Sequence, residues 1–155
     1  MSRRLKQAAV VFVVVLLAAQ LIRPERANPP IDPNHTIQAQ VGTASGLVAV
    51  LDRGCGDCHS NRTVWPWFTQ VAPLSWLMAY GVKQGRQAVN FSEWTAYEPS
   101  RQRELLVQSC QDVSHGKMPG GLYTTLRPQA KLSVKDVETI CAAAGQAGAR
   151  TADGR

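Results

Sequence analysis

Five consecutive residues, Cys55-Gly56-Asp57-Cys58-His59, constrain what this chain can fold into more than any other feature. C-x-x-C-H is the attachment signature of a c-type haem. Two thiols add to the two vinyl groups of the porphyrin as thioethers, and two residues between them let both reach one edge of the ring. His59 follows at once and is placed to give an imidazole nitrogen to the iron as proximal ligand. A chain attached in this way must fold around a large flat ring, which becomes part of its core. Five residues can match by chance. Three features supply context: an export signal, a helix leading into the motif and a second ligand downstream.

Arg3, Arg4 and Lys6 precede an apolar run from Ala8 to Ile22 that only Gln20 interrupts. A basic start followed by a short apolar stretch reads as an export signal. The run amounts to roughly 22 Å of helix against a hydrocarbon core of ~30 Å, a length that favours a cleaved signal. Cleavage chemistry argues the other way, because Ala19 has Leu17 two residues before it and Ala27 has Glu25. Lys6 and Arg23 can snorkel and extend the span. The balance favours an uncleaved membrane-anchor helix over residues 1–22, its basic end cytoplasmic. The rest of the chain is then expected in the periplasm of a bacterium, on the outer face of the inner membrane. Residues 23–40 read as a Pro-rich linker. Pro24, Pro29, Pro30 and Pro33 exclude a continuous helix, so this stretch is expected to hold a domain a short distance off the membrane. His35 within it reads as an ordinary linker residue rather than a ligand.

Residues 41–150 leave room for one small core, and residues 151–155 read as a disordered tail. The net charge is +6, but Arg3, Arg4 and Lys6 carry half of it, leaving 14 Lys and Arg against 11 Asp and Glu. Two haem propionates would offset most of that excess. No basic motif points to nucleic acid, which is not expected as a partner. Ala44, Leu47, Val48 and Leu51 form a one-sided apolar stripe that runs toward Cys55. Leu74, Leu77, Met78 and Gly81 form a second stripe. Leu106, Cys110 and Val113 form a third, and Val134, Val137, Ile140, Cys141 and Ala144 a fourth. Ser133 with Asp136 resembles a capping box at the start of the last helix. No strand-length alternation occurs. These patterns predict an all-α domain of the small cytochrome c kind, with long loops.

The candidates for the second axial ligand are Met78, His115 and Met118. Met118 stands in the breaker-rich run Gly116-Lys117-Met118-Pro119-Gly120-Gly121, from which a thioether can reach a haem face. Met78 sits at a helical apolar position, where methionine is more often core. His115 at a helix end is more often a solvated cap. Met118 is preferred, with His115, Met78 or an open site as alternatives. Cys110 and Cys141 lie on apolar helical faces in an oxidising compartment and are expected to pair. Two buried free thiols, or a zinc site shared with Cys55 and Cys58, are weaker readings, because Cys110 and Cys141 lack knuckle spacing.

Several motifs together resemble the bacterial haem-binding domain family of c-type cytochromes. They are Asn28-Pro29-Pro30, Cys55 to Asn61, Trp65-Pro66-Trp67, Val71-Ala72-Pro73-Leu74-Ser75-Trp76 and Asn90-Phe91-Ser92-Glu93-Trp94, and the likeness continues through Lys117-Met118-Pro119 to Leu132-Ser133. The resemblance implies a membrane-anchored or periplasmic domain with one haem, and His59 and Met118 fall on the positions we would assign as its ligands. The expected function is electron transfer with a redox partner protein that the sequence does not identify. The alternatives are a haem-based redox or gas sensor, in which Met118 is displaced, and a small peroxidase using His115 as acid–base. The chain shows no evident distal Arg/His pair, so an enzyme is the less favoured class. Trp65, Trp67, Trp76 and Trp94 read as structural. Asn61 and Arg62 are close enough to the motif to reach a propionate or to fix a loop.

Overall fold

Three helices start behind a hydroxyl that accepts an otherwise unpaired N–H of the first turn. Ser2 caps α1 (Arg3–Ala19), Thr36 caps α2 (Ile37–Val41) and Ser45 caps α3 (Gly46–Gly54). A single turn, α4 (Gly56–His59), follows at once. Proline sets the start of the next two: α5 (Leu74–Ala88) follows Pro73, and α6 (Pro99–Ser114) has Pro99 at its first position, where a missing N–H costs nothing. After the short α7 (Gly121–Leu126) comes α8 (Val134–Ala152). At its start the Ser133 N–H donates to Asp136 Oδ2 (2.7 Å) and the Asp136 N–H donates to Ser133 Oγ (3.2 Å), a closed capping box. This computed structural model describes residues 2–43 and 45–152. Among them there is no strand, and the domain is all-α. Ala44, the first residue of the expected stripe, lies outside the described residues. So do residues 153–155 of the expected tail, while α8 runs on to Ala152.

The core is built where α6 lies along α8, with α3 across α8. Leu47, Val50, Leu51, Leu105, Leu106, Val113, Ile140 and Ala144 meet there with Ile37, Phe91 and Trp94. A disulfide joins Cys110 to Cys141, with the two Cα atoms 4.8 Å apart. Gly54 lets the end of α3 close on the segment before α8, since a Cβ there would stand 2.6 Å from Leu132 Cδ2. Arg53 Nη1 donates to Gln129 O and Lys131 O, both at 2.9 Å, and Arg53 Nη2 pairs with Asp136 at 2.7 Å. Val134, counted in the last stripe, is 77% exposed because it precedes the first buried turn of α8.

Two expectations change. The anchor helix is too short: α1 has 17 residues, roughly 25 Å against a core of ~30 Å. Among the described residues no helix is long and apolar enough to cross a membrane. The linker is not a spacer. Arg26, Ala27, Asn28 and Pro30 are all bonded to the domain, and Thr36, Ile37 and Gln38 are buried at and within α2.

Backbone and hydroxyl donors of Ser133, with Arg53, hold the Asp136 carboxyl at about 2, below its ordinary 3.8. A folded pKa below the unfolded one stabilises the fold above the ordinary value and ceases to do so as pH falls through the folded value. Asp136→Ala should therefore cost about 1 kcal/mol near neutral pH. The gap to the parent, read by urea unfolding, should close as pH falls from about 4 to about 2.

Candidate functional site

The Cys55 N–H donates to Leu51 O (2.9 Å) and so finishes α3, whereas its φ of −123° breaks the helix there. The His59 N–H donates back to Cys55 O (2.9 Å), closing α4 as a separate turn. The helix of the first stripe, α3, thus runs into Arg53-Gly54-Cys55 as expected, and a kink at Cys55 sets the cysteine turn off from it. Ser60 Oγ seals the turn by donating to Gly56 O at 2.7 Å.

The turn rests on α5 at Gly85. A Cβ on Gly85 would lie 2.8 Å from the carbonyl carbon of Cys58, so the two backbones meet with no side chain between them. One turn further on, Val89 O accepts a hydrogen bond from His59 Nδ1 at 3.2 Å. With the proton on Nδ1, the Nε2 lone pair is left for a metal. Burial lowers the His59 pKa below its ordinary value and keeps the imidazole neutral. Burial also pushes the Cys55 thiol up to about 12 and the Cys58 thiol to about 11, so both stay protonated. Both are free, whereas Cys110 and Cys141 are paired. Among the described residues no group of three or more His, Cys, Asp or Glu is placed to hold a metal by itself, which leaves the four-cysteine zinc reading without a site.

Two cavities flank His59, of about 580 and 280 Å³. His59, Ala88 and Met118 line both; Cys58 opens into the larger and Cys55 into the smaller. The stripe of α5 faces the larger cavity rather than protein core. Leu74, Leu77, Met78, Gly81, Gly85 and Ala88 form its wall, which is why Leu77 is 54% exposed despite its place in the stripe. A third groove, between α2, α3, α6 and α8, contains none of the candidate residues.

Met118 reaches this place through the end of α6. Gly116 takes φ +67°, its N–H donates to Val113 O (3.1 Å), and the Lys117 N–H donates to Asp112 O (2.9 Å). This is a Schellman turn, which needs glycine at the left-handed position. It sends the chain back along α6 with Met118 against the two cavities. His115 lines neither cavity: it is exposed at the C-cap, and its Nδ1 donates to Gln111 O at 2.6 Å. Met78 is buried in the cavity wall, and His35 is exposed 3.9 Å from Asp32. Arg62 faces Asp52 at 3.6 Å and lines neither cavity.

Asn61 fixes a loop instead of reaching the cavities. Its backbone N–H donates to Ser92 Oγ (3.0 Å), and Asn90 Nδ2 donates to Asn61 Oδ1 (2.8 Å). Asn61 Nδ2 donates to Pro30 O (3.3 Å), so three quoted motifs meet in one buried polar knot beside Val89. Of the tryptophans, Trp94 is core at 2% exposed, whereas Trp67 is 78% exposed.

Sequence reasoning missed two groups. The Tyr123 hydroxyl donates to Asp57 Oδ2, and Arg127 Nη1 lies 3.3 Å from the same oxygen. Burial and the Asp57 carboxylate raise the Tyr123 pKa, so the phenol remains a donor. This lock ties α7, and the Met118 loop before it, to the cysteine motif. The second group is Arg101, Gln108, Ser109 and Asp112 on the small cavity, whose spacing on α6 was legible as one polar face around Leu105.

The donor set fits a haem: a neutral imidazole and a thioether on the same two apolar cavities, with two free thiols beside the imidazole. Their volumes lie at or near the usual range of ligand sites, roughly 300–1,000 Å³. The sequence model of the haem-binding domain family matches residues 14–146. The chain belongs to the haem-binding domain family. The matched region begins inside α1 and takes in the Pro-rich segment as well as both cavities beside His59. Comparison with curated proteins and with solved structures returned no match.

Gly85→Ala should push α5 off the motif and remove most haem from the purified protein, measured as haem per polypeptide. Gly145→Ala, where an added Cβ meets nothing within 4 Å, should retain it.

Proposed function

We propose that this haem-binding domain carries one covalent haem c on Cys55 and Cys58, with His59 and Met118 as axial ligands. It passes electrons between proteins outside the cytoplasmic membrane, in the periplasm of a bacterium. The observation that supports this best is that His59 and Met118 line the same two cavities while each thiol opens into one of them. A bound haem supplies a reversible one-electron couple at its iron.

The chain's own residues do the rest. Val89 O orients the His59 ring, and the Asp57–Tyr123–Arg127 lock holds the loop from which Met118 reaches in. A thioether from Met118 and an imidazole from His59, both held to the iron, would raise the potential and leave no open position, which would suit electron transfer over peroxide or gas chemistry. Arg101 is the cation on the small cavity and can meet a propionate. Leu77, Met118 and Leu122 are about half exposed at the larger cavity, an apolar rim suited to brief docking of a redox protein. The apolar residues of α1 are exposed on every side, which lipid accommodates and water does not. With Arg3, Arg4 and Lys6 at its far end, α1 is assigned to membrane attachment.

Met118→Ala should lower the potential, abolish the long-wavelength ferric band of methionine ligation and let carbon monoxide bind. Met118→His should restore six-coordination at a lower potential. An unchanged spectrum in Met118→Ala with a changed one in His115→Ala would instead assign the ligand to His115. Replacing Cys55 and Cys58 together with Ala should make any bound haem extractable by acid-acetone.

A further inference from the structure

We infer that the haem domain sits directly on a phospholipid bilayer, on the face formed by Leu21, Ile22, Trp67 and Val71. This rests on the reading that α1 enters a membrane. The residues after α1 leave no slack. Gln20 Oε1 accepts the Ala72 N–H at 2.9 Å, and Trp76 Nε1 donates to Ile22 O at 2.8 Å. Arg26 Nη1 donates to Thr69 O at 3.0 Å, and Arg86 Nη1 to Ala27 O at 3.1 Å. The domain is therefore fastened at the first residue beyond the helix.

Around that fastening four large apolar side chains are exposed, beside the exposed polar residues Arg23, Glu25 and Gln70. Leu21 is 85%, Ile22 68%, Trp67 78% and Val71 47% exposed. They stand on the segments that these bonds join, Gln20–Ile22 and Trp67–Ala72, so the apolar surface of α1 continues onto the domain. A bilayer is the occupant that fits both. Its headgroup region favours a half-buried tryptophan. A helix short of the hydrocarbon thickness is accommodated by drawing its flanks into the interface. The length that α1 lacks is thus made up by this face, and the haem is held at a set height and orientation above the lipid.

The test places a nitroxide on full-length holoprotein at Val71→Cys and, as a reference, at Val107→Cys on α6, which is 44% exposed. The unsubstituted protein, treated in the same way, is the blank. In vesicles of phosphatidylcholine with phosphatidylglycerol, the Val71 label should shift toward oxygen accessibility over a polar nickel complex, and the Val107 label should not. Combining Gln20→Ala, Arg26→Ala and Trp76→Phe should return the Val71 label to water while the protein still floats with the vesicles. Flotation with a Val71 label as wet as that at Val107 would overturn the seat and leave the membrane reading standing. Failure to float would overturn both. Shielding of Val71 without vesicles would assign the face to a second copy of the chain and overturn the bilayer.

Discussion

At Gly85 the backbone of α5 comes against the carbonyl of Cys58 more closely than any side chain would permit. That approach sets the position of the cysteine turn on its supporting helix. It brings Val89 O within hydrogen-bonding distance of His59 one turn later. It also turns the row Leu74, Met78, Gly81 and Ala88 toward the space in front of the imidazole. A bulkier residue at one position would separate the ligand from its orienting carbonyl and from its cavity together.

Two hydrogen-bond systems, one buried and one partly buried, keep the turn in place. The knot of Asn61, Asn90 and Ser92 fixes the chain just after His59 to the chain just after Val89. The lock of Asp57, Tyr123 and Arg127 fixes the turn to α7. Buried polar groups of this kind stabilise one arrangement because leaving any partner unpaired is costly. The placement of His59 thus depends on residues that line neither cavity wall beside it as well as on those that do.

The Pro-rich strap follows the same logic. Proline brings no N–H and keeps the chain extended, so the strap presents carbonyls in need of donors. Trp76, Arg86 and Asn61 supply them to Ile22, Ala27 and Pro30. What reads in sequence as an extended spacer is, by its bonding, a fixed side of the domain.

Much was legible in the chain itself. Helical period, caps and breakers marked the helices, because those signals are local and depend on neighbours within a turn or two. Cys55, Cys58 and His59 stood out as candidates because their C-x-x-C-H spacing is a recognisable local pattern, and Gly116 beside a helix end marked the turn that carries Met118. What each stripe faces was not legible. The α5 stripe resembles a core stripe, and only packing against α4 shows that it lines a cavity. The end of α3 closes through Gly54 against Leu132, far along the chain. The partners of Asp57, Asn61 and Gln20 lie from 29 to 66 residues away. Local periodicity carries no record of such distances. Sequence alone therefore determined the helices of the four stripes and the candidate residues of the motif, but not the short α2, α4 and α7, while tertiary packing decided which donors share a cavity and which segments are free, since both depend on long-range burial.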